Sequence, residues 1–251
     1  MYRLGLAIQI TSIGLLVGIL VSMVRMRLYR EFPFFGSYVA YIVVQMVLRA
    51  AFLSNGRLYF YVYWITAPLE TLLAIAAVYE SFRRVFRVFF LLRWFRFVFP
   101  GSIVVALLGS ALASYISPPP TVSVAGAMII SAMAVAQYVI LAISFVFFAL
   151  VLLLPVRWGI HEYHIVMGFG LSSLAMIVAA VIRSVFVTRF TFFSSMLPPV
   201  VYVLVLVIWL TAMLHPLPPE PVFVGEGLSP EEVVRILRRD LSIVRSLLRR
   251  R

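Results

Sequence analysis

The sequence predicts an all-α integral membrane protein with seven transmembrane helices. Its N-terminus is placed outside, its C-terminus in the cytoplasm, and a basic amphipathic helix follows the last span. Three observations carry this prediction. The chain is 64% hydrophobic and 12% charged, with a mean hydropathy of +1.09. A soluble chain of 251 residues needs more polar surface than that. Several apolar runs exceed the roughly 18 residues that read as a span. All 21 basic residues are arginine, and they gather at alternate ends of those runs, which is the positive-inside pattern.

The first helix is Leu4 to Val24. Its apolar run is longer than a signal-peptide core, and its positive cluster (Arg25, Arg27 and Arg30) follows the run, so it reads as a retained span. The second, Pro33 to Leu53, opens on a proline suited to a first turn and closes at the turn Ser54-Asn55-Gly56. The third, Leu58 to Ser81, carries one carboxylate, Glu70, near its middle. Arg83, Arg84, Arg87, Arg93 and Arg96 follow and mark the inside. This stretch suits a cytoplasmic extension of the third helix followed by an interfacial segment.

The fourth helix, Gly101 to Ile116, is short and ends outside at three prolines, Pro118 to Pro120. Its glycines and alanines suit close helix packing. The fifth runs from Val122 to Leu154, roughly 50 Å at the usual rise, so it has to tilt or protrude. The sixth is Glu162 to Val187 and the seventh Leu197 to Leu214. With this threading, 16 arginines fall inside. Only Arg3, Arg57 and Arg189 fall outside, and Arg49 and Arg183 lie within helices.

The membrane domain spans 1–219, a linker 220–228, and the tail helix 229–251. Ser229-Pro230-Glu231-Glu232 is a capped helix start. Val234, Leu237, Leu241, Val244 and Leu248 then form an apolar face, opposite Arg235, Arg238, Arg239, Arg245 and Arg249. Such a helix lies on an anionic inner leaflet, or pairs with a protein partner or a second copy through its heptad-like seam.

Composition also narrows the chemistry. Without cysteine there are no disulfides, thiolate metal sites or cysteine nucleophiles, and without lysine no retinal or pyridoxal Schiff base. The net charge of +12 is explained by topology rather than by nucleic acid, which is not an expected partner. Arginine-only usage with abundant alanine, valine and proline suggests a GC-rich genome and a bacterial cytoplasmic membrane. Gly168-Phe169-Gly170 falls inside the sixth helix and reads as packing, not a phosphate loop, and no GxSxG motif occurs.

Ionisable groups inside a membrane domain are the first functional candidates. Tyr41, Gln45 and Arg49 share one face of the second helix; Tyr59, Tyr63, Thr66 and Glu70 share one face of the third; Ser172, Met176, Ala179 and Arg183 share one face of the sixth. Together they outline a small outward-facing polar cavity between helices 2, 3 and 6. It suits a small ligand, an anion gripped by Arg49 and Arg183, or a proton at Glu70. The same residues also suit an internal salt bridge with tyrosine hydrogen bonds, and both arginines reach towards outer headgroups. His161 and His164, three apart, with His215 able to face them, are the candidates for a divalent metal or haem; the expected reading is histidines at the interface contacting headgroups and loop carbonyls, with no cofactor.

Glu80-Ser81-Phe82-Arg83 is faintly similar to the acidic-Arg-aromatic motif of G-protein-coupled receptors. The order differs, and neither an outside disulfide nor NPxxY occurs, so that family is set aside. The threading resembles the seven-helix sensor modules at the head of some bacterial signalling proteins, in topology alone. That resemblance implies a non-enzymatic sensor or accessory module whose cytoplasmic helix passes on a signal. The alternatives are a small secondary transporter with Glu70 as its coupling carboxylate and a haem- or metal-binding membrane subunit.

Overall fold

The computed structural model of the chain describes residues 2–52, 55–86, 124–153, 159–185 and 190–216, together with 97, 100, 101 and 104. Its elements are α1 (Tyr2–Arg25), a 3₁₀ turn (Leu28–Arg30), α2 (Pro33–Ala51), α3 (Gly56–Val85), α4 (Val124–Leu153), α5 (Ile160–Val185) and α6 (Thr191–Met213). No strand occurs among the described residues. All six α-helices are long and apolar enough to cross a membrane. The predicted fourth helix, Gly101 to Ile116, falls almost wholly outside the described residues. The tail helix with Arg235, Arg238, Arg239, Arg245 and Arg249 falls wholly outside them.

The distribution of side chains is compatible with an integral membrane protein. Phe145 is 73% exposed and Ile65 72%, while Gln45 is 2% exposed. The interior is mainly apolar, as in a soluble protein, but large apolar side chains are also exposed along every helix, more than a soluble surface carries. Each helix packs on its neighbours in the chain, α6 closes the ring against α1, and α3 also touches α5.

The bundle has two distinct ends. At one, α2 stops at Ala51, α3 begins at Gly56 and α6 begins at Thr191. There the Asn55 side chain caps α3, accepting from the Leu58 amide at 3.2 Å. At the other end α2 and α5 begin while α3 and α6 finish. Contacts such as Gln45 with Glu70 and Phe35 with Glu80 set α2 and α3 antiparallel. By contrast α3 and α4 run parallel. Glu70 and Ala74 line the same space as Gln137 and Ile140, and further along Phe86 packs against Phe147 with ring centroids 5.6 Å apart.

Helix α3 continues one turn past Ser81, which places Arg83 and Arg84 on helical backbone, as the expected extension of the third helix does. One boundary differs clearly from the sequence expectation. Helix α6 begins six residues before Leu197, so Pro198 and Pro199 lie inside it. The Ser194 amide bonds the Phe190 carbonyl at 2.9 Å and starts the helix there. Each proline lacks the amide that would donate to the carbonyl one turn earlier. A membrane helix tolerates that loss beside protein or a polar cavity, and both prolines line such a cavity.

Candidate functional site

A cavity of about 290 Å³ lies between α2, α3, α4, α5 and α6. Its polar lining comes from Gln45 and Arg49 on α2, Glu70 and Thr71 on α3, Gln137 on α4, Ser172 and Ser173 on α5, and Tyr202 on α6. Four-residue spacing places Gln45 and Arg49 on one stripe of α2. The antiparallel packing of α3 brings Glu70 level with both.

Gln45 Nε2 donates to Glu70 Oε2 at 3.0 Å. Arg49 Nη2 donates to Thr66 Oγ1 at 3.2 Å, and its guanidinium lies over the Tyr63 ring, 4.7 Å from the centroid. The distance from Arg49 Nη2 to Glu70 Oε2 is 3.9 Å, close enough for Coulombic attraction but too long for a hydrogen bond. Tyr41 donates its hydroxyl hydrogen to the Thr66 carbonyl at 2.9 Å, tying α2 to α3 beside the cavity. Two polar atoms of lining residues, Arg49 Nε and the Tyr202 hydroxyl, are buried. Arg49 Nε has no hydrogen-bond partner, whereas the Tyr202 hydroxyl has the Tyr38 hydroxyl as its hydrogen-bonding neighbour and Glu70 as a charged one.

The structure therefore brings Glu70, Gln45, Arg49, Thr66 and Tyr63 together, and adds Ser172 and Met176 as the sequence analysis anticipated. Arg183 is not part of the site: it is exposed near the end of α5 and does not line the cavity. Eleven residues separate it from Ser172. That keeps it on the same helical face but carries it about 16 Å further along the axis. An anion clamp between Arg49 and Arg183 is thereby corrected.

Aromatic side chains floor the cavity. Trp209 is fully buried and packs edge-on against Phe35 at 5.1 Å and Tyr38 at 6.0 Å, and tilted against Phe169 at 4.9 Å. Its indole donates to the His164 carbonyl at 3.0 Å. Tyr38 and Phe169 also line the cavity, so the floor and the site share side chains.

Beyond the floor lies a charged collar. Arg84 Nη1 meets Glu31 Oε2 at 2.6 Å, and Arg84 Nε meets Glu162 Oε1 at 3.3 Å. The guanidinium sits over the Phe32 ring at 4.6 Å. Glu80 accepts from the Phe34 and Phe35 amides at 3.2 and 3.1 Å, capping the start of α2 with a carboxylate. These contacts join the 3₁₀ turn, α2, α3 and α5 at one end of the bundle.

The three histidines are not gathered into a centre. His161 is buried, stacks on Phe32 at 5.9 Å, and its Nε2 lies 3.2 Å from the His215 carbonyl. His164 turns its Nδ1 to the carbonyl of Ile160. Among the described residues no three His, Asp or Glu side chains converge as a metal would require. His161, His164 and His215 therefore do not form a three-ligand metal cluster among the described residues.

Tyr202, Gln137 and the collar pair Glu80 and Arg84 were not selected from the sequence. Tyr202 is a lone tyrosine in an apolar run, and Gln137 a lone amide in another. A signal did exist for Glu80 and Arg84: they are four apart on α3, the spacing of an intrahelical pair. Both turn instead to other elements. No protein-family model matches the sequence, and neither a curated protein nor a solved structure is similar to it.

Proposed function

We propose that this protein is a non-enzymatic sensor or accessory module of a bacterial cytoplasmic membrane. It takes a small ligand into the cavity from the outer face and reports through its cytoplasmic tail helix. One observation carries the reading: α6 connects every layer. It contributes Pro198, Pro199 and Tyr202 to the cavity and Trp209 to the floor, and its C-terminal end meets α5 through the His215 carbonyl and His161. A ligand that shifts Tyr202 thus acts on the helix from which the tail leaves. The ordered collar at that end gives the shift a fixed frame to work against.

Seven crossings with the N-terminus outside fit this reading. Helices α3 and α4 run parallel, so the chain has to return from one end of the bundle to the other between residues 86 and 124. That supports one further crossing there. The arginine distribution supports the orientation, placing the collar inside and the cavity mouth outside. The tail then faces the inner leaflet or a protein partner.

The absence of cysteine gives a clean test. Ser172→Cys, on the cavity wall, is expected to react with a membrane-impermeant maleimide added from outside to intact cells. Reaction only in inverted vesicles, or none in folded protein, would contradict an outward-facing cavity. A second reading, a small secondary transporter, is favoured by Glu70 lying two residues from Pro68 inside α3, with Pro198 and Pro199 also on the cavity wall. It requires flux in sealed vesicles that Glu70→Gln abolishes; the sensor requires binding without flux.

A further inference from the structure

The described lining of the cavity holds one carboxylate, Glu70, and one guanidinium, Arg49. Their charges balance. The cavity lies midway along helices surrounded by lipid, where unbalanced charge is costly. A lone anion or cation would add a net charge to this region, whereas a molecule carrying both charges adds none.

The unmet groups also call for a ligand with two different ends. Arg49 Nε is buried and unpartnered, although buried polar atoms ordinarily find a partner, and the buried Tyr202 hydroxyl has only the Tyr38 hydroxyl beside it. Both can donate, so both suit acceptor oxygens. Arg49 is held by Thr66 and the Tyr63 ring, and its Nε is a buried donor without a partner. Glu70 accepts from Gln45 through Oε2 and stays 3.9 Å from Arg49, so the carboxylate keeps capacity for a cationic group. Tyr38 and Phe169 line the same space, and aromatic rings favour an alkylated ammonium.

We propose that the cavity binds a small zwitterion, with its cationic nitrogen against Glu70 and its acceptor oxygens at Arg49 Nε and the Tyr202 hydroxyl. This rests on reading the cavity as a ligand site and names the chemical class that fits it. The volume of about 290 Å³ suits a small solute.

Three probes of nearly one shape separate the possibilities: glycine betaine (zwitterion), choline (cation) and 3,3-dimethylbutanoate (anion). Each is titrated into purified protein in lipid nanodiscs, with calorimetry and melting temperature as readouts. Glycine betaine is expected to bind about tenfold or more tightly than either of the others, and Glu70→Gln or Tyr202→Phe to weaken it by about tenfold. Tyr202→Phe keeps the ring and removes only the hydroxyl, which covers the case in which Glu70→Gln fails to fold. If choline or 3,3-dimethylbutanoate binds equally well, the zwitterion is overturned and the ligand site stands. The zwitterion is likewise overturned if glycine betaine does not bind to protein whose Ser172→Cys variant labels from outside. Absence of that labelling would remove both the site and its proposed ligand.

Discussion

Gly168 shows how closely the floor of the cavity is built. A Cβ at this position would lie 2.3 Å from Trp209 Nε1 and 2.6 Å from Trp209 Cε2. Any side chain there pushes the indole away from Phe35, Tyr38 and Phe169 and stretches its bond to the His164 carbonyl. Gly168→Ala is therefore expected to cost about 1–3 kcal/mol, the usual range for overpacking a well-filled interior. A lowered melting temperature in detergent, with reduced tryptophan burial by fluorescence, checks this; an unchanged melting curve contradicts it. The packing role of Gly168 was legible in the sequence, because a glycine within an apolar helix suggests close approach. Its partner was not, since Trp209 is distant in the chain and only the fold brings the two together. The same division holds at Glu70. Spacing placed Gln45 and Arg49 on the correct stripe, but no periodicity along one helix selects Tyr202 on another.

At the scale of the element, α2 depends on a carboxylate from α3. Pro33 has no amide hydrogen to leave unmet, and Glu80 satisfies the next two donors, Phe34 and Phe35. Because Phe35 packs on Trp209, this cap also holds one edge of the aromatic floor. Glu80→Ala is expected to destabilise the protein by about 1–2 kcal/mol, as for other lost caps. Glu80→Gln should lose less, since it keeps one acceptor oxygen. Equal melting temperatures for wild type and Glu80→Ala would contradict the capping role. Hydropathy located the six described helices well because each carries a long apolar run. It misplaced the start of α6, because the Pro198-Pro199 pair looks like a helix start when its neighbours in the fold are unknown.

Across the whole molecule, polar and charged groups have two different occupations. At the collar, Arg84 is in contact with Glu31 and Glu162 and lies over Phe32, so its bonds are spent on joining elements. In the cavity, Glu70 and Arg49 stand 3.9 Å apart with donors left open, an arrangement that keeps capacity for a ligand. The sequence could not separate these occupations. Arginine counts fix sides of a membrane, whereas the pairing of Arg84 depends on how four elements meet. The contrast is testable by melting wild type, Glu70→Gln and Arg84→Gln side by side in detergent. Arg84→Gln should melt lower, by about 2–4 °C for each ~1 kcal/mol lost. Glu70→Gln should melt at or above wild type, because it removes a charge held for a ligand and keeps a bond to Gln45. If Glu70→Gln instead falls as far as Arg84→Gln, and adding Arg49→Gln restores it, the cavity charges are a structural bridge and the ligand site is lost.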